Sequence, residues 1–163
     1  MRYNKKKGEN MKNYVKYVDT PIGIISLVSD GTSLTQLGGV SEIKETKESC
    51  LVLEEASKQL LEYFNGKRKQ FDLPLHLEGT VFQKKVWKAL CNIPYGETRS
   101  YKQIAEAVGS PKAMRAVGGA NHNNPIMIVV PCHRVIGANG SLVGFGGGLP
   151  MKVTLLELEQ KYK

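Results

Sequence analysis

Hydrophobic and polar positions change period several times along the chain, and each change marks an element. Tyr14–Asp19 and Gly23–Ser29 read as strands, with Thr20-Pro21-Ile22-Gly23 supplying a turn between them. Asp30-Gly31 marks a second turn before Leu34–Leu37, so the pattern predicts a small antiparallel meander. Glu48 to Phe64 then shifts to helical spacing, with Val52, Ala56, Leu60 and Tyr63 on one stripe and Asn65-Gly66 as the stop. Phe71, Leu73, Leu75 and Leu77 alternate again, as in a half-buried strand or an extended linker. Residues 1–12 are charged, lysine-rich and without periodicity, which reads as disorder.

The second half opens with Thr80-Val81-Phe82-Gln83, a capping-box pattern, and Phe82, Val86 and Leu90 follow at helical spacing. Pro94-Tyr95-Gly96 breaks that helix. Ser100-Tyr101-Lys102-Gln103 is a second capping box, for a short helix that Gly109 ends. Ser110-Pro111 then offers a cap and a first helical residue, predicting that the next helix starts there. Two short helices joined by a Gly-containing turn make a helix-turn-helix candidate. The second helix is nearly smooth: Ala113, Ala116, Gly118, Gly119 and Ala120 leave Lys112 and Arg115 projecting. Small residues permit either close helix–helix packing or close approach to a DNA groove. After Asn121-His122-Asn123-Asn124-Pro125, the apolar run Ile126–Val130 reads as a buried strand that emerges at Pro131-Cys132-His133-Arg134. A glycine-rich stretch follows, and then a last helix with Met151, Leu155, Leu158 and Tyr162 on one stripe.

Charge sharpens this division. The chain has 163 residues and a net charge of +8. Thr80 to Val135 holds eight basic residues against two acidic ones, so +6 of that charge lies in this stretch. A basic half suits a polyanionic partner, with a solvated basic surface as the bland alternative. The longest apolar run is far too short to span a membrane, and the polar N-terminus lacks the apolar stretch of a secretory signal. The three cysteines, without paired spacing, argue against a disulfide framework or a zinc ribbon and for a reducing compartment.

Candidate chemistry centres on Cys132, at the junction of a buried segment and a loop, with His133 as the obvious base. Thiolate is a soft, strong nucleophile whose formation needs a lowered pKa or a nearby base. Adjacent side chains on extended backbone point apart, so a bridging water is the expected link between them. Cys50 and Cys91 read as packing residues.

The whole string adds more than the pair. Pro131-Cys132-His133-Arg134-Val135 resembles the active-site signature of the methylated-DNA–protein-cysteine methyltransferases, and Arg115-Ala116-Val117-Gly118-Gly119-Ala120 resembles that family's DNA-recognition helix. Gly96-Glu97 with Ser100-Tyr101, Asn124-Pro125 and Gly146-Gly147-Gly148-Leu149 match as well. The resemblance runs strongly from about Thr80 to Glu159 and more weakly over Tyr14–Leu77.

It implies an α+β fold: a small N-terminal antiparallel-sheet, ribonuclease H-like domain over residues 13–78, and a helical C-terminal domain over 79–163 carrying the helix-turn-helix and the active-site cysteine. It implies direct, irreversible, single-turnover transfer of an alkyl group from 6-O-alkylguanine in DNA, and from 4-O-alkylthymine as a second substrate, to Cys132. His133 would take the thiol proton through a water, and Glu159 would orient His133. Tyr101 would donate to the departing guanine, and Arg115 would fill the space the flipped nucleotide leaves. Asn124 would brace the turn before Cys132. Backbone groups of Cys132, Val135 and Gly146 would grip the base edge. Arg99, Lys102, Ser110, Lys112, Ala116 and Gly119 complete the expected DNA contacts. The expected partner is double-stranded DNA carrying alkylated guanine, met by a monomer in the cytoplasm, with no membrane, cofactor or metal. Gly146 departs from the polar residue common at its position, which removes a side-chain contact to the base. Three rivals remain open on the residues: a lesion binder without transfer, against which Cys132 itself argues; a helix-turn-helix transcription factor; and a cysteine hydrolase.

Overall fold

In the computed structural model the described residues are 13–44, 47–142 and 148–163; the N-terminal stretch 1–12 and Gly146 lie outside them. Strands β1 (Tyr14–Thr20), β2 (Gly23–Ser29) and β3 (Leu34–Gly39) form an antiparallel sheet in the order β1-β2-β3. The predicted turn joins the first two: the Thr20 hydroxyl accepts from the Ile22 N–H at 3.2 Å and donates to the Gly23 carbonyl at 2.7 Å. Asp30 shapes the next turn, its Oδ1 accepting from the N–H groups of Thr32 and Ser33. One face of the sheet buries Val18, Ile25, Leu27, Leu34 and Leu37.

Helix α1 (Leu51–Phe64) packs against all three strands. It begins later than Glu48, with Cys50 in extended geometry at its cap. Its buried stripe is Leu53, Ala56, Leu60, Tyr63 and Phe64, with Val52 at the rim. Gly66 ends it at φ +74°, where an added Cβ would collide with the Tyr162 ring, so both backbone shape and close approach demand glycine there. Residues 71–77 form an extended linker rather than a full strand, tied to β3 by Leu34 N–H to Pro74 O and His76 N–H to Leu34 O. The same strand reaches the second half: Leu37 donates to Pro125 O at 2.9 Å and accepts from Met127 N–H at 3.1 Å.

Both predicted capping boxes form. Thr80 and Gln83 start α2 (Val81–Leu90), and Ser100 and Gln103 start α3 (Tyr101–Ala107). Helices α4 (Met114–His122) and α5 (Leu149–Tyr162) complete the set. A two-residue strand β4 (Arg99–Ser100) pairs in parallel with β5 (Val135–Ile136), tying the start of α3 to the segment after Cys132.

Five further expectations need correction. Helix α4 starts at Met114, not at Ser110-Pro111. Ser110 instead completes the end of α3: its N–H bonds Ala105 O while the Gly109 N–H bonds Glu106 O, a Schellman pair that holds Ser110 in the preceding helix's cap. Second, Ile126–Val130 is buried but is not a regular strand. Val129 N–H bonds Met127 O around Ile128, at φ +74°, and Cys132 N–H bonds Val130 O around Pro131. These are two γ-turns, and positive φ in a β-branched residue carries about 1–3 kcal/mol of strain. Third, Cys132 stands on a 3-10 turn, Cys132–Arg134, not at a strand end. Fourth, the fully buried residues of α5 are Lys152, Leu155 and Glu159, while Met151, Leu158 and Tyr162 are only partly covered. Fifth, Cys91, read as a packing residue, is exposed at the end of α2.

Candidate active site

The 3-10 turn gathers three consecutive buried side chains: Cys132 at 3% exposure, His133 at 0% and Arg134 at 7%. Glu159, 1% exposed, reaches them from α5. Its carboxylate receives five donors. Oε1 accepts from the Gly96 N–H at 3.1 Å and from Arg134 Nε at 2.9 Å. Oε2 accepts from the Tyr63 hydroxyl at 2.6 Å, His133 Nε2 at 2.7 Å and Arg134 Nη2 at 3.0 Å. The third guanidinium nitrogen, Nη1, donates to Ile93 O at 2.7 Å. This is the satisfaction that a buried charge pair requires.

Protonation states follow from that geometry. Burial alone would push the Glu159 carboxyl up, but the hydrogen bonds and charges of His133 and Arg134 hold it well below the usual carboxylate range. Glu159 is therefore ionised and can only accept, so the His133 Nε2 must carry a proton. Burial pushes the His133 ring below its ordinary value, against the opposing pull of Glu159. The ring is thus neutral with Nδ1 as a bare acceptor, and that nitrogen is buried with no protein partner among the described residues.

Burial drives the Cys132 thiol up to about 11, opposed by a hydrogen bond from the Asn124 side chain and by the charge of Lys152. Asn124 also braces the backbone: its Nδ2 donates to Val130 O at 2.7 Å, and its Oδ1 accepts from the Ile126 N–H at 3.0 Å. Tyr101, the first residue of α3, is half-buried. Burial first, and Cys132 second, raise its phenol above the ordinary value, so it remains a proton donor. A groove of about 640 Å³ reaches Cys132 past Ile24, Gln36, Gly38, Asn121, Met127 and Met151.

Three side chains here were not singled out from the sequence. Lys152, fully buried in α5, donates to Val135 O at 2.6 Å and stands 6.0 Å from the Tyr101 ring centre. Asn121 donates from Nδ2 to Cys132 O at 3.3 Å. Arg134 was part of the signature but had no assigned role. Lys152 is a charged residue between Met151 and Val153, and that anomaly was the available signal; Asn121 opens a polar run and Arg134 follows His133, so neither stood out by pattern.

The helix-turn-helix side is exposed. Lys102, Lys112, Arg115, Ala116 and Gly119 face solvent, while Val117 and Ala120 anchor α4, with Trp87 Nε1 donating to Ala120 O at 2.8 Å. An added Cβ at Gly119 would meet nothing within 4 Å, and at Gly118 only the Tyr101 ring edge at 4.0 Å. Helix packing therefore does not explain these glycines. Arg99 is partly engaged, its Nη1 3.1 Å from Glu97. Ser110 is half-buried in the turn, and Val135 is buried with its carbonyl held by Lys152.

The chain matches two family models: 6-O-methylguanine DNA methyltransferase, ribonuclease-like domain, over residues 13–77, and 6-O-methylguanine DNA methyltransferase, DNA binding domain, over residues 81–161. The chain belongs to the 6-O-methylguanine DNA methyltransferase family. Among its relatives in that family, the methylated-DNA–protein-cysteine methyltransferase of Mycobacterium leprae is 52% identical over 152 residues, 90% of this chain and 92% of that protein. The Methanosarcina barkeri protein of the same name is 49% identical over 153 residues, 90% and 97% of the two chains. The methyltransferase fold is shared with the crystal structure of Mycobacterium tuberculosis O6-methylguanine methyltransferase, at a TM-score of 0.86 and 47% identity over 93% of this chain and 95% of that one. The same organism's OGT in complex with DNA superposes at 0.84, with 49% identity over 91% and 94% of the chains.

Proposed function

We propose that Cys132 is the residue onto which this methylated-DNA–protein-cysteine methyltransferase draws an alkyl group, taken from O6 of a guanine extruded from duplex DNA. The observation that carries the reading is the fixed line from Glu159 through His133. It leaves Nδ1 as a bare buried acceptor on the residue next to a buried thiol. In the step itself the Cys132 sulfur forms a bond to the alkyl carbon, and the carbon–O6 bond breaks. The thiol proton passes through a bridging water to His133 Nδ1. The guanine leaves with the electron pair and takes a proton from the Tyr101 hydroxyl, which neutralises the developing anion. The product is a thioether on Cys132 itself, so each molecule acts once and no cofactor is consumed.

DNA binds along α4. Arg115 fills the gap of the flipped nucleotide, Ala116 and Gly119 allow close approach, and Arg99, Lys102, Ser110 and Lys112 meet phosphates. Extrusion costs a few kcal/mol, least for a pair already weakened by damage. Backbone groups of Cys132, Val135 and Gly146 hold the base edge, and Asn124 keeps the approach to Cys132 in shape. The division between the sheet half and the DNA-binding half falls near residue 78. We take a monomer as the acting unit, and three free cysteines suit a reducing cytoplasm.

The test is a duplex containing one O6-methylguanine, incubated with the full chain and followed by intact mass. The expected result is one methyl group per protein, mapping to Cys132, with none on Cys132→Ala although that variant still binds DNA. Product release beyond one equivalent would point to a hydrolase, and methyl transfer by Cys132→Ala would remove the nucleophile assignment.

A further inference from the structure

Tyr63 lies in the sheet half of the chain, 96 residues from Glu159, yet its hydroxyl contacts the same carboxylate oxygen that holds His133. The side chain is fully buried. Its ring is locked by Phe64 at 5.4 Å in an edge contact, by Phe71 at 5.5 Å and by Tyr95 at 6.2 Å. A buried phenol needs one acceptor, and a backbone carbonyl would satisfy it. Here the acceptor is the ionised group of the relay, at 2.6 Å, a distance typical of a charge-assisted bond.

We propose that Tyr63 is a positioning residue for alkyl transfer, through which the N-terminal half fixes the Glu159 carboxylate and weakens its pull on the His133 proton. This rests on the Glu159–His133 relay proposed above. The reasoning is electrostatic. Oε2 shares its charge among Tyr63, His133 and Arg134. Removing the phenol takes one of three donors from Oε2 and leaves the carboxylate more basic, while Gly96 and Arg134 still hold it. A more basic Glu159 stabilises the imidazolium form of His133, so the ring protonates at higher pH and ceases to be a base there. The other titratable or charged groups facing this cluster are Arg134 from the 3-10 turn, Cys91 at the end of α2, Tyr95 from the turn after it, and Lys152 from α5.

The experiment is the single-turnover rate of methyl transfer from an O6-methylguanine duplex against pH, for the full chain and for Tyr63→Phe. Glu159→Gln and Phe71→Leu are run beside them, with melting temperature and DNA affinity measured for each. Tyr63→Phe is expected to lower the plateau by about tenfold. It should also move the midpoint of the acid limb upward by roughly half a pH unit or more, with DNA affinity unchanged. Phe71→Leu loosens the packing around the same ring and keeps the hydroxyl; it should lower the melting temperature and leave the midpoint in place. An unmoved midpoint in Tyr63→Phe, with Glu159→Gln crippled, overturns the role of Tyr63 and leaves the relay intact. A wild-type rate in Glu159→Gln overturns the relay itself. If Tyr63→Phe does not fold, proton NMR of the wild type decides. A protected Tyr63 hydroxyl resonance that shifts across the acid limb supports the proposal, and one that stays fixed overturns it.

Discussion

Gly119→Ala separates what α4 does for the fold from what it does for DNA. The residue lies inside the helix Met114–His122 and is exposed, and a Cβ built on it meets no atom within 4 Å. Glycine in a helix interior costs about 0.5–1 kcal/mol relative to alanine, because the unfolded chain has more freedom to lose. With no clash to offset that gain, the variant should be more stable by about the same amount. For a chain of 163 residues this is a rise in Tm of roughly 1–4 °C. On the DNA side the outcome reverses. If the face formed by Arg115, Ala116 and Gly119 lies against the groove wall, one added methyl overpacks that contact, at a cost of about 1–3 kcal/mol. That corresponds to a loss of affinity of roughly 5- to 160-fold. The assay pairs calorimetric Tm with fluorescence anisotropy on a short duplex, at one fixed salt concentration. A raised Tm with unchanged affinity would refute close approach by this face. A lowered Tm would mean that Gly119 serves the fold in a way that its open surroundings do not show.

Further outcomes follow from the same geometry. DNA affinity should fall with salt at a log–log slope of roughly −3 to −4, as expected for about four neutralised phosphates, and Lys112→Ala should flatten it by about one; a flat response would remove this surface from the interface. Arg134→Met should cost about 3–5 kcal/mol in urea unfolding, because it strands the Glu159 charge in the core; a loss under 1 kcal/mol would contradict the buried pair. The folded-state pKa values of His133 and Glu159 are both lowered, so the unfolded chain binds more protons as pH drops, and stability should fall below about 6.5 and again below about 4.5. Cys132 is raised from 9.0 to about 11, so the folded state keeps a proton that the unfolded state releases, and stability should also fall as pH rises above about 9. Urea midpoints from pH 4 to 10 check this, and a monotonic trend across that range would refute it.

Features that depend on a few neighbouring residues were legible in the sequence. The capping boxes at Thr80 and Ser100 and the Thr20–Gly23 turn are local hydrogen-bond patterns, and each formed as spaced. The signature around Cys132 was legible because its residues, Pro131 to Val135, are consecutive in the chain. Backbone shape was less so. Ile126–Val130 is apolar and rich in β-branched residues, which correctly announced burial, but burial does not distinguish a strand from a segment wound through two γ-turns. Ser110-Pro111 carried a genuine start signal that lost to the Schellman closure of α3, which claims the Ser110 N–H. Glu159 is left beside the stripe Met151, Leu155, Leu158 and Tyr162, one position from Leu158, rather than on it. Its true place in the core depends on Tyr63, Gly96, His133 and Arg134, whose partnership no local window contains.

The same separation explains how Cys132 combines reactivity with protection. With its thiol at about 11, roughly one molecule in ten thousand carries a thiolate at neutral pH. A standing thiolate would be open to every oxidant and electrophile in solution, and susceptibility of that kind follows thiolate character and exposure together. Here both are low, at 3% exposure and with the proton firmly held. Under the proposed relay the proton need leave only while sulfur attacks, and the neutral His133 ring, oriented through Nε2 by an ionised Glu159, offers Nδ1 to receive it. Burial that would disable a cysteine relying on its own acidity thus suits one that, on the proposed reading, reacts once and with one bond.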